Sequence, residues 1–285
     1  MKLPMHVVFG PNPGSYYVAC GRNLEFKDMP VAFTDKMKEF TVVSWSWISM
    51  GPNCETWVAR NAENDTFYFN TGLNTDIHSY LTGKNDRTQA QFVSFAPESG
   101  YWCVKHNLNG WNAYVSKSSE KKILEMQARV QGFDGGLKGI LFGHGDSHIY
   151  MFQAGFAYNL EGDAENAEHP LHKVLEEFLN RGEGWIIEES SSLCFYDDRY
   201  FFLKFKRTGD DSMEMRWNLP EEMAARLSSL VDIAKTSTEQ HAIEVEDLAL
   251  ANIVTTRQAG KFAIQMAQMN MRMNMTNALC QMMTR

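Results

Sequence analysis

One pattern recurs five times along this chain and restricts what it can fold into: an apolar segment, a Gly-Pro-Asn-like turn, then an aromatic, β-branched run. The first copy reads Val8-Phe9-Gly10-Pro11-Asn12 and then Ser15-Tyr16-Tyr17-Val18. The second reads Ser49-Met50-Gly51-Pro52-Asn53 and Glu55-Thr56-Trp57-Val58, the third Ser94-Phe95-Ala96-Pro97-Glu98 and Tyr101-Trp102-Cys103-Val104. The fourth, Leu141-Phe142-Gly143-His144-Gly145 and His148-Ile149-Tyr150-Met151, and the fifth, Cys194-Phe195-Tyr196-Asp197-Asp198 and Tyr200-Phe201-Phe202-Leu203, have drifted furthest. Anchored at Gly10, Gly51, Ala96, Gly143 and Tyr196, the copies lie 41, 45, 47 and 53 residues apart. Periods in the forties belong to propeller blades or to helical repeats. Turn residues flanked by aromatic, β-branched runs decide for strand, tight turn, strand.

Each copy continues with a third short strand: Leu24–Phe26, Phe67–Phe69, Trp111–Tyr114, Phe156–Tyr158 and Met213–Trp217. Several of these alternate apolar and polar residues, the period of a half-buried strand. Helical segments follow, at 74–81, at 118–126 and at 218–227, where Pro220 and Glu221-Glu222 suit a first turn. The expectation is therefore a mainly β fold, a five-bladed β-propeller-like repeat of strand-strand-strand-helix units of about 45 residues, spanning 1–235. Loops are expected at 82–86 and in the Gly-rich 132–136, and an exposed acidic insertion at 161–168.

The pattern GPN-x-x-(Tyr/Trp)-Val, with its aromatic strand and Leu-Pro helix start, resembles a group of mostly uncharacterised fungal repeat proteins. The resemblance spans about residues 6–230 and is clearest in the first three copies; His144-Gly145 and Asp197-Asp198 replace Pro-Asn in the others. It implies a propeller fold and no particular activity.

From about Thr236 the repeat stops. Residues 241–285 hold no proline and a single glycine, Gly260, which suits a C-terminal helical extension over 236–285. Ala259, Phe262, Met266, Met269, Met273, Thr276, Cys280 and Met283 form a heptad-like seam, and Ile264, Ala267, Met271, Met275, Ala278 and Met282 lie on another face. A helix apolar on two faces packs on more than one side, against the repeats or against a second copy in a homo-oligomer. Thioethers select Cu(I), but methionine stripes on helices are far more often packing, and no cofactor is expected.

A net charge of −8 without a long Lys/Arg run disfavours nucleic acid as a partner. No run approaches the ~18 apolar residues of a membrane span. Five scattered cysteines without a C-x-x-C motif argue against a disulfide framework or a zinc site and suit a reduced, cytoplasmic setting.

Chemistry-bearing residues are most expected where a copy departs from the repeat, because repeated positions are held by packing. In the fourth copy these are His144, Asp146 and His148. A metal site, a polar ligand contact and a plain turn all fit that cluster, the last because Gly, Asp and Ser are turn formers. In the fifth copy they are Asp197, Asp198 and Arg199. In the third they are His106 and Trp111, one strand further on and so expected at the opposite end. Trp45 also breaks the pattern and joins Trp111 as an aromatic candidate, whereas Trp57 and Trp102 align with Tyr17 as core. No G-x-S-x-G, P-loop, G-x-G-x-x-G or H-E-x-x-H appears.

The function these features favour is propeller-type binding of a small molecule or glycan at a loop face. A second class is an enzyme, of cyclase or isomerase type, enclosing a hydrophobic metabolite in an aromatic-lined pocket. A third is an oligomeric scaffold.

Overall fold

Aromatic and β-branched runs become strands here because their side chains pack on both faces of stacked sheets. The computed structural model describes residues 5–40, 45–70, 72–83, 89–107, 110–182, 184–209 and 212–235. The expected extension over 236–285 lies outside them. Among the described residues the strands form five antiparallel sheets. The first comprises β1 (Met5–Phe9), β2 (Tyr16–Cys20) and β3 (Asn23–Lys27); the second β4 (Trp45–Met50), β5 (Trp57–Asn61) and β6 (Phe67–Phe69). The third comprises β7 (Ala90–Phe95), β8 (Trp102–His106) and β9 (Trp111–Tyr114); the fourth β10 (Leu137–Phe142), β11 (His148–Phe152) and β12 (Phe156–Asn159). In the fifth, β13 (Trp185–Ile187) and β14 (Ser192–Leu193) both pair with β15 (Phe201–Arg207), which pairs with β16 (Met213–Asn218). The fifth sheet thus has the same three-strand plan, its first strand broken by residues 188–191.

Between sheets the chain forms helices, each driving one apolar stripe into the seam between neighbours. Helix α1 (Val31–Glu39) buries Phe33 and Met37 with Tyr17 of the first sheet and Trp57 of the second. The Phe33 ring meets both aromatic rings edge-on, with centroids 5.5 Å away in each case. Helix α2 (Thr75–Thr82) buries Ile77 and Leu81, and α3 (Lys117–Arg129) buries Ile123 and Met126. The Gly-rich segment expected as loop contains a short helix, α4 (Phe133–Gly136), with Phe133 buried. Helix α5 (Pro170–Asn180) buries Leu171, Leu175 and Phe178, and Phe178 stacks on Phe205 at 3.6 Å. The acidic insertion before α5 is largely exposed, with Ala164 tucked inside.

The final helix, α6, spans 221–235. Pro220 sits just before it, its carbonyl accepting the Ala224 N–H at 2.9 Å. The buried residues of α6, Met223, Leu227, Leu230 and Ala234, repeat at helical spacing and cluster with Met5, Val7, Tyr16 and Val18 of the first sheet. Lys27 and the Tyr16 hydroxyl both bond Glu222, at 2.6 and 3.3 Å.

The first strands of the sheets touch one another in cyclic order: β1 with β4, β4 with β7, β7 with β10, β10 with β14, and β14 with β1. A polar donor stitches each junction. His6 bonds the Trp45 backbone. The Trp47 indole and Arg60 both donate to the Gln91 carbonyl, at 3.2 and 3.4 Å. Lys105 donates to the Asp134 carbonyl at 3.3 Å, and Lys138 pairs with Glu189 at 3.1 Å. The Ser192 hydroxyl donates to the Val7 carbonyl at 2.7 Å, and Lys204 donates to that of Met5. Gln91 is free to accept because the ladder skips it at a bulge between Ala90 and Phe92.

Candidate functional site

The turn that defines each copy closes with one hydrogen-bond pattern in all five. The backbone N–H of Gly10, Gly51, Ala96, Gly143 and Cys194 donates to the carbonyl of Ser15, Thr56, Tyr101, Ser147 and Tyr200 respectively. This places Cys194 at the fifth anchor, two residues before Tyr196, where the sequence pattern puts it. A second shared bond, onto the carbonyls of Asn12, Asn53, Glu98, His144 and Asp197, makes those five residues structural equivalents.

Several of these turns touch. Asn53 donates to Ser99 Oγ at 3.0 Å, His144 Nδ1 bonds the Phe195 carbonyl at 2.8 Å, and the Tyr196 hydroxyl donates to the Pro11 carbonyl. His144 and Asp197, both expected at a site, therefore share one patch. Facing a carbonyl, His144 Nδ1 must carry the proton; the neutral ring then leaves Nε2 as an open acceptor at an exposed position. Asp197 is held by Arg199 through two parallel bonds, Nε–Oδ1 at 2.9 Å and Nη2–Oδ2 at 2.6 Å. The hydrogen bonds from Arg199 hold the Asp197 carboxyl below its usual range, against the opposing effect of burial. The Arg199 guanidinium lies 5.5 Å over the Tyr200 ring, with the arginine itself exposed.

Asp198 turns the other way. Its Oδ1 lies 3.6 Å from Nε2 of His169, a buried residue the sequence reading does not single out. His169 caps α5, its Nδ1 accepting the Leu171 N–H at 3.3 Å. The gap to Asp198 exceeds hydrogen-bond reach, and Nε2 is buried without a hydrogen-bond partner.

Asp146 and His148 belong to an inner network. Ser119 Oγ donates to Asp146 Oδ1 at 2.8 Å and lies 3.2 Å from His148 Nε2, which must then be the donor. The other ring nitrogen of His148 lies 3.5 Å from the Tyr150 hydroxyl. Burial lowers the His148 pKa to about 4, although Asp146 pulls the other way. Burial would raise the Asp146 carboxyl, but Ser118, Ser119 and Lys122 outweigh it and hold it down. Lys122 bonds the Asp146 carbonyl and Glu161 at 3.2 Å each, and Glu161 accepts the Asp146 N–H at 2.7 Å. His144 and His148 thus do not converge, and no group of three or more His, Cys, Asp or Glu among the described residues is placed to hold a metal ion.

His106 and Trp111 flank the β8–β9 hairpin, at the far end of the third sheet from its turn. His106 is buried, lies parallel to the Tyr80 ring at 6.0 Å, and is held below its usual pKa by burial and then by Lys105. The Trp111 indole donates to Asp134 at 2.8 Å and packs beside Phe133. Trp45, an aromatic ligand candidate in the sequence, is buried between Phe40 and Tyr68, so it is core.

The first strands of all five sheets also surround a cavity of about 40 Å³, lined by Val8, Ser49, Ser94, Leu141, Ser192 and Phe195 among others. Pockets that enclose metabolites run to roughly 300–1,000 Å³. No helix among the described residues is long and apolar enough to cross a membrane. Comparison of the chain with protein-family models, with curated proteins and with solved structures finds no match.

Proposed function

We propose that the five sheets close into a five-bladed β-propeller whose turn-bearing face binds a small hydroxyl-rich ligand such as a glycan. Closure is supported by the cyclic contacts of the first strands and by α6 lying on the first sheet. The binding reading rests on one observation: the His144–Phe195 bond joins the two most diverged turns into one patch. That patch offers an open imidazole nitrogen, a carboxylate–guanidinium pair and the partly buried rings of Phe195, Tyr196 and Tyr200. Neutral and charged hydrogen-bonding groups beside aromatic faces suit sugar hydroxyls and ring C–H surfaces.

Binding is favoured over catalysis by His148, whose ring nitrogens are both engaged, so it is not free to move a proton to a substrate. The axial cavity would not enclose a metabolite.

A glycan array probed with wild type and with a His144→Ala/Arg199→Ala variant tests the reading. Both side chains are exposed, so the melting temperature should hold within about 2 °C. Wild type should bind a restricted glycan set, and the variant should lose at least about tenfold in apparent affinity, some 1.4 kcal/mol. A wild type that binds nothing on the array, or a variant that binds equally well, overturns the proposal.

A further inference from the structure

We propose that the axial cavity is a built water site, holding one or two ordered molecules that hydrogen-bond the first strands of different sheets together. The proposal rests on the lining of the cavity and is independent of the ligand reading. Val8, Ser49, Ser94, Leu141 and Ser192 occupy the same repeat position, two residues before each turn anchor, and all line the cavity. The repeat thus sets three hydroxyls at one level, from the second, third and fifth sheets.

Ser94 carries the argument. It is 3% exposed, and its Oγ meets no hydrogen-bond partner in the protein. A buried hydroxyl left unpaired costs about 1–3 kcal/mol, and native proteins seldom leave one so. The neighbouring groups have capacity to spare. Ser192 gives its proton to Val7, which leaves its lone pairs to accept. Ser191 Oγ accepts the Lys204 N–H at 2.9 Å, which leaves its proton to donate. Glu189, also in the lining, adds a carboxylate whose charge Lys138 balances at 3.1 Å. The site is therefore polar and near neutral. Its volume of about 40 Å³ exceeds the ~10–15 Å³ a water requires. A bare ion would find too little net charge here to replace its hydration shell. Dry cavities are apolar throughout, and this one is not.

The test is a crystal structure at a resolution that places solvent, determined natively and under xenon pressure. Native crystals should show a solvent peak within about 3.2 Å of Ser94 Oγ and no xenon in the cavity. A Ser49→Val/Ser94→Val variant should lose that peak and admit xenon. A native cavity with no peak, a native cavity that takes up xenon, or a peak with the anomalous signal of a heavier ion would each overturn the proposal. Should the double variant fail to fold, the native pair of crystals still decides, because each of their outcomes supports or contradicts a water site.

Discussion

Leu227→Asp is expected to abolish the cooperative unfolding transition at neutral pH. Leu227 is 2% exposed and sits among Met5, Val7, Tyr16, Val18 and Phe202; the cation beside that cluster, Lys204, lies over the Phe202 ring and is already bonded to the Met5 carbonyl. An unpaired charge forced into such a seam, added to the lost apolar burial, costs more than about 4–5 kcal/mol. Total stability is commonly about 5–15 kcal/mol. The milder Leu227→Ala should cost about 2–5 kcal/mol. Ile233→Asp, on the exposed side of the same helix, should change stability by less than about 1 kcal/mol. Denaturant unfolding followed by tryptophan fluorescence separates the three. If Leu227→Asp unfolds like Ile233→Asp, α6 does not hold the first sheet.

The second large effect is acid lability. Burial holds His148 at a pKa of about 4 and His6 at about 3, against 6.5 for the free side chain. Both are therefore neutral in the folded protein through a range where the unfolded chain binds protons. Unfolding then takes up protons, so the stability these groups contribute is fully present above about pH 6.5 and drains away as pH falls toward 4. One pKa unit is worth about 1.4 kcal/mol, so the pair together removes on the order of 5 kcal/mol by pH 4. His148→Asn should narrow the gap in unfolding free energy between pH 7 and pH 4.5, whatever it does to stability at neutrality. A wild-type stability that stays flat between those two pH values would contradict the assignment.

The units were legible because their turns and strands advertise themselves. Gly10-Pro11-Asn12 and Gly51-Pro52-Asn53 announce the turn, and Trp57-Val58 and Trp102-Cys103-Val104 announce the strand after it. The fifth copy was misaligned for a physical reason. From anchor to closing residue its turn runs Cys194 to Tyr200, one residue longer than Gly10 to Ser15, while the fourth, Gly143 to Ser147, is one shorter. Hydrogen bonding tolerates both changes; a linear pattern does not. Trp45 misled for a related reason. Residues two apart on a strand normally share a face, but the ladder skips Ser46. Trp45 and Trp47 consequently pack in different clusters, both buried. The neighbourhood of His144 and Asp197 was expected from aligned turns, and the two do share a patch. His169 was not legible: a lone histidine before a proline has no periodic neighbour, and Asp198 lies near it only through the fold. Ser119 was hidden likewise, as one serine among several at the start of α3.

Each sheet is made from consecutive strands, and none borrows a strand from the far end of the chain. The backbone therefore crosses four of the five junctions, while among the described residues the junction of the fifth sheet with the first is held by side-chain contacts, those of Lys204, Ser192, Tyr196 and the α6 seam. Under tension the molecule has a built-in weak point there. A pull on Met5 and Lys235 loads that one joint in full before any other seam feels strain. In the closed arrangement proposed above, it would part like a bracelet at its clasp, with the remaining sheets still stacked along an opened arc.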